Sequence, residues 1–153
     1  MTYLMLQFFL AVFSNIGFCI IFRVPVKIMA PGVLIGAFGW VLYQILVLYN
    51  NSAFIACFAA SCLVGLLSEI ASRIFKDATT IFVIPSILCL VPGNNIFKTM
   101  VALLDNDIDK TASIGLQTLM MAGAISAGIL FMGAVSKLIY AIVKKPFQSK
   151  PGH

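Results

Sequence analysis

Charge is what this sequence has least of. Only 10% of its 153 residues are Asp, Glu, Lys or Arg, against about 25% in a soluble domain, which is too little polar surface to solvate a globule in water. Histidine occurs once, as the terminal His153, so a His-based catalytic centre or a His metal site is excluded. Four cysteines, Cys19, Cys57, Cys62 and Cys89, lie inside apolar runs. They form no CxxC pair and show no zinc spacing, and they read as small buried hydrophobes. No G-x-S-x-G, P-loop or G-x-G-x-x-G run is present, and five acids with one histidine cannot assemble a nucleophile, a base and an orienting acid. A soluble enzyme is ruled out, a membrane enzyme acting on lipid is disfavoured, and neither a cofactor nor a metal is expected.

What the chain has in abundance is hydrocarbon. Hydrophobic residues make up 61% and the mean hydropathy is +1.08, which places the chain in a bilayer. A helix crossing ~30 Å of hydrocarbon needs ~20 apolar residues, so the charge-free runs define the spans. Residues 1–22 form the first, without the basic start and small-residue cleavage site of a signal peptide. Residues 28–68 are uncharged throughout, too long for one crossing, and Asn50-Asn51-Ser52 divides them into spans at about 30–49 and 53–73. The run 78–97 is interrupted by Pro85 and by Pro92-Gly93, because proline removes a backbone donor and clashes with the preceding turn. With the apolar stretch 96–104 it predicts a broken or re-entrant fourth span. Residues 111–136 predict a fifth. The expected fold is all-α, with one five-span membrane domain over 1–145 and a flexible basic tail over 146–153.

The few cations orient this layout. Eight of the ten, Arg23, Lys27, Arg73, Lys76, Lys137, Lys144, Lys145 and Lys150, fall on one side of a five-span chain, and only Lys98 and Lys110 on the other. The positive-inside rule then puts the N-terminus outside and the C-terminus in the cytoplasm. Four or six spans would remove that agreement. The net charge of +5 is thus topological, and no nucleic-acid partner is expected.

Ionisable or strained groups at membrane depth are functional candidates by default. Glu69 is the one acid within a span. Ser61, Gly65, Glu69 and Arg73 recur at four-residue spacing with Cys57, on one small and polar helical face. On a pathway-lining reading, Glu69 takes a proton or a cationic group and Arg73 biases its ionisation. On a structural reading, Glu69 lies ~24 Å along the helix and pairs with Arg73 at the interface. Pro85 to Asn95 is the other candidate. Broken helices at membrane depth expose backbone groups that transporters use as binding sites. A half-helix starting near Asn94-Asn95, with Asn94 as N-cap, would turn its positive end toward an anionic group. Pro92, Gly93, Asn94 and Asn95 are also ordinary turn chemistry. Gly32 and Gly36, Gly39, Gly115, Gly123, Ala127 and Gly128 read as sites of close helix packing. Asn15, Gln44 and Gln117 read as interhelical hydrogen bonds, and Trp40 is too deep for an interfacial belt.

Phe22-Arg23-Val24-Pro25, Gly36-Ala37-Phe38-Gly39-Trp40, Ile84-Pro85 and Leu90-Val91-Pro92-Gly93, in this order on a chain of this length, resemble the threonine/serine exporter family. The likeness is to the C-terminal five-span membrane domain of the fused exporters, which in split systems is a separate small subunit. Members often carry another proline where this chain has Cys89. The resemblance implies export of small hydrophilic metabolites, threonine and serine or a dicarboxylate such as succinate, driven by the proton gradient together with a second membrane subunit in the inner (cytoplasmic) membrane. A non-transporting scaffold or holin-like pore former is the alternative, since it needs only packing glycines and a basic tail.

Overall fold

In a computed structural model, residues 2–50 and 52–144 are described, and they form six helices with no strand. The expected tail over 146–153 lies outside the described residues. Helix α1 (Thr2–Ile21) is followed by α2 (Val26–Asn50), α3 (Ala53–Phe75), α4 (Thr79–Leu88), α5 (Gly93–Leu104) and α6 (Ile108–Lys144). Helices α1, α2, α3 and α6 are each long and apolar enough to cross a bilayer, and α4 with α5 forms a pair bent by 50° that passes the same test only when the two are taken together, as a broken span or a re-entrant loop. The 37 residues of α6 amount to roughly 55 Å, so its ends stand beyond the hydrocarbon.

Helix ends follow from local chemistry. Arg23 and Asn106 adopt left-handed backbone, and the amides three residues past α1 and α5 reach back five residues, Val24 to the Cys19 carbonyl at 2.9 Å and Asp107 to that of Ala102 at 3.0 Å. With the donors three residues beyond Ile21 and Leu104, these are Schellman closures, which satisfy carbonyls that the helix leaves open. Asp107 also caps α6, accepting from the Lys110 amide at 3.1 Å and pairing with Lys110 Nζ at 2.6 Å. Those hydrogen bonds hold its carboxyl below the usual carboxylate range.

Helix α3 is the hub, touching α2, α4 and α6, while α1 packs mainly on α2 and α5 on α6. The buried core joins Ile28 and Ile35 of α2, Cys57, Ala60 and Val64 of α3, Phe82 of α4, Leu90 of the break and Met121, Ala124 and Ile125 of α6. Met5, Phe9 and Phe13 of α1 and Leu119, Leu130 and Phe131 of α6 are exposed, as side chains facing lipid should be.

Close approach at small residues sets the spacing between helices. A Cβ on Gly36 would collide with the Asn15 amide, one on Gly39 with Val64, and one on Gly128 with Ser61 and the Phe58 carbonyl, whereas Gly32, Gly123 and Gly133 have room. The Gly32/Gly36 pair therefore acts through Gly36 alone.

The break differs from the sequence expectation in one respect. Pro85 does not interrupt α4; it is buried within the helix. The hydroxyl of its neighbour Ser86 lies 2.7 Å from the Phe82 carbonyl and 3.0 Å from that of Gly32 on α2. With α2 packed over it, the helix continues to Leu88 and breaks only across Cys89 to Pro92. We expect Gly128→Ala and Gly36→Ala to destabilise the purified protein in detergent by about 1–3 kcal/mol each, the usual cost of overpacking. Gly123→Ala, with open space and a helix-propensity gain of up to about 1 kcal/mol, should leave the thermal unfolding midpoint unchanged or raise it.

Candidate functional site

The sequence-derived candidates separate into two groups at opposite ends of α4. Ser61, Gly65, Glu69 and Arg73 do share one face of α3, and that face is covered by α6. Ser61 abuts Gly128, a Cβ on Gly65 would lie 3.1 Å from the Met132 Cβ, and the Cys62 thiol points at the Gly128 carbonyl at 3.6 Å. Within this chain the face is a helix–helix seam.

Its end holds a polar clamp. Arg73 Nη2 lies 3.9 Å from Glu69 Oε2 and donates to Ser136 Oγ at 2.6 Å and to the Ser136 carbonyl at 3.1 Å. Ser136 Oγ in turn donates to Glu69 Oε2 at 3.1 Å, and Thr79 Oγ1, on the first turn of α4, donates to Glu69 Oε1 at 3.5 Å. A carboxylate is thereby shared by α3, α4 and α6 where the three meet. Its side chain remains 21% exposed.

At the other end, the break opens a cavity of about 450 Å³, within the size range of small-molecule sites. Pro92, Gly93, Asn94 and Asn95 line it, joined by Trp40, Tyr43 and Gln44 of α2 and by Gln117 and Met121 of α6. Pro92 (φ −75°, ψ 59°) makes an inverse γ-turn in which the Gly93 amide donates to the Val91 carbonyl at 2.7 Å. The Asn95 and Ile96 amides both donate to the Pro92 carbonyl, at 3.0 and 3.1 Å. The expected N-cap is corrected accordingly. Asn94 lies inside α5, Pro92 holds the cap position without a side-chain bond, and three of the amides that begin the half-helix are already bonded within the turn.

Specificity at this cavity therefore falls to side chains, four amides with an indole and a phenol. Asn95 Nδ2 rests on Met121 Sδ at 3.5 Å. No charged residue lines the space, and among the described residues no cluster could hold a metal ion. Such a lining offers donors and acceptors at once, which suits a small solute of no net charge. Gln44, Gln117 and Trp40, read from the sequence as packing or bonding residues, belong to the site. The available signal was their rarity, a lone amide in each of two oily spans. Ser136 and Thr79 carried no signal at all.

Several apolar helices, with a bent pair beside a polar cavity, define a polytopic helical membrane protein. The chain belongs to the threonine/serine exporter family: the family described as threonine/serine exporter, ThrE, matches residues 7–135. A Haemophilus influenzae protein (strain Rd), described as an uncharacterized protein, is 25% identical over 141 residues, covering 87% of this chain and 48% of that protein. The chain thus spans about half the length of the curated relative it matches. No solved structure matches it.

Ser136→Ala removes the hydroxyl that bridges Arg73 and Glu69 while leaving the Ser136 carbonyl in place. Hydrogen bonds to charged groups contribute about 1.5–3 kcal/mol when buried, and with Arg73 46% exposed we expect a loss of about 1 kcal/mol in detergent unfolding. Glu69→Gln, which keeps an acceptor for Ser136, should cost less.

Proposed function

We propose that this chain is one membrane subunit of a proton-driven secondary exporter that carries threonine or serine out of the cell across the cytoplasmic membrane, with a second membrane subunit completing the path. The observation that carries this reading is the cavity at the helix break, whose amide, indole and phenol lining has no charged member. A zwitterionic amino acid has no net charge, and its carboxylate and ammonium can each be met by an amide that donates from one atom and accepts at the other. A dicarboxylate would bring two negative charges into a space without a cation, at an unrepaid desolvation cost. This lining thus favours threonine and serine over succinate, and a scaffold or simple pore former would have no use for it.

Glu69 is the coupling candidate. It is an acid held at the junction of three helices, so a proton on it would weaken the clamp and free α4 to move relative to α3 and α6. The second subunit is supported by the curated relative being about twice as long as this chain.

Three outcomes test the reading. Cells expressing the chain with its genomic neighbour should export labelled threonine and serine, and not succinate; export of none of the three would end the family-level substrate assignment. Asn95→Ala and Gln117→Ala should each reduce efflux about tenfold at equal protein abundance, the effect of about 1.4 kcal/mol of lost interaction. Glu69→Gln should abolish the dependence of efflux on the proton gradient, and unchanged flux would remove Glu69 from the mechanism. The orientation is tested separately. Alkaline phosphatase fused after Ser52 should be active and after Lys76 inactive, and the reverse pattern would invert the topology.

A further inference from the structure

The break lines a second space besides the one assigned to substrate. A cavity of about 250 Å³ runs along α1, where Gln7, Ser14, Phe18 and Leu88 contribute to its wall. It shares Trp40 and Cys89 with the larger cavity. Trp40 and Cys89 therefore stand where the two spaces adjoin, an indole and a thiol common to both walls. Gln7, Ser14 and the Cys89 thiol, which points at Ser14 Oγ at 3.8 Å, are polar groups at membrane depth. Their bonds to Trp40 and to one another use only part of the hydrogen-bonding capacity of an amide and a hydroxyl, and leaving the rest unmet in hydrocarbon is costly. A compartment holding water or a polar solute gives them partners.

The indole is held lightly, whereas the backbone around it is held firmly. Trp40 Nε1 donates one hydrogen bond to Gln7 Oε1 at 3.0 Å, and its ring leans on that of Tyr43 at 5.5 Å between centroids. One turn back and one residue back, Gly36 and Gly39 let α2 press against Asn15 of α1 and Val64 of α3 so closely that a Cβ would collide. Helix α2 is pinned at this level, so the wall can open by rotation of the indole and not by displacement of the helix.

We propose that the two cavities are successive compartments of one passage, and that Trp40, latched by Gln7, is the gate residue between them. A small polar solute crosses when the indole leaves Gln7, and the freed Gln7 amide and Trp40 N–H then bond to the solute. The proposal rests on the exporter reading for the identity of the solute, though not for the existence of the gate.

The reporter is Ala11→Cys in a Cys89→Ser background, since Ala11 lines only the smaller cavity whereas Cys89 faces both, and the buried Cys19 and Cys57 serve as internal controls. Intact cells expressing the chain with its genomic neighbour are exposed to a small, charged, membrane-impermeant methanethiosulfonate, and labelling at each cysteine is followed by peptide mass spectrometry. Gln7→Met and Trp40→Phe should each speed labelling at Ala11→Cys about fivefold, the population change expected from losing one net hydrogen bond. The double variant should be no faster than either single one, because both remove the same bond. Should Trp40→Phe not accumulate, Gln7→Met alone reads the latch. Unchanged labelling in these variants, or additive effects, would overturn the gate. Saturating threonine or serine should slow labelling in the reporter protein with Gln7 and Trp40 intact. A latch effect without such protection leaves the gate standing and sinks the substrate assignment, whereas protection without a latch effect does the opposite.

Discussion

Close contact between α3 and its neighbours is the condition on which the rest of the structure depends. Within a bilayer there is no hydrophobic gain from bringing helices together, so association rests on van der Waals contact and on how near two backbones can come. Here α6 reaches α3 because Gly128 leaves room for Ser61 and the Phe58 carbonyl, and α2 reaches α3 because Gly39 leaves room for Val64. Once α6 is seated in that way, Ser136 arrives beside Glu69 and Arg73, and Met121 and Gln117 arrive at the mouth of the helix break. The clamp and the cavity are both consequences of the same seam.

The helix break obeys the second constraint of the bilayer, that backbone polar groups must find partners inside the protein. The turn over Cys89 to Pro92 meets much of that demand internally, through the Leu90 and Val91 amides on the Ile87 carbonyl and the Gly93 amide on that of Val91. The consequence is chemical. A break that satisfies its own amides does not present the open anion site that a bare half-helix would offer, and the neutral side chains around it define what can bind. Pro85 shows the same accounting, since a proline inside α4 is tolerated where the adjacent Ser86 hydroxyl and the packed α2 surround the interrupted ladder.

Much of the architecture was legible in the sequence. The long apolar helices, the division between α2 and α3 and the break near Pro92 follow from charge-free length and from turn residues and proline, and Ser61, Gly65, Glu69 and Arg73 share a face because a four-residue spacing leaves them no alternative. The boundaries moved outward, to Val26 for α2 and to Ile108 and Lys144 for α6, because helices run past the hydrocarbon that the charge pattern delimits. The site was only partly legible. Pro92 to Asn95 stood out by composition, but Gln44, Trp40 and Gln117 join them from two other helices, and nothing within about twenty residues of either glutamine marks it as a lining group.

The sequence by itself determined which segments enter the membrane, because the bilayer imposes a length and a hydrophobicity that each segment meets or fails alone. Only the tertiary structure decided which polar groups share a space: that the Ser61 face meets α6, that Ser136 completes the Glu69–Arg73 pair, and that Trp40 lines two cavities. These pairings join residues tens of positions apart in the chain. They depend on how closely and at what height helices pack, which is set by the fit of small residues against particular partners and not by any local pattern.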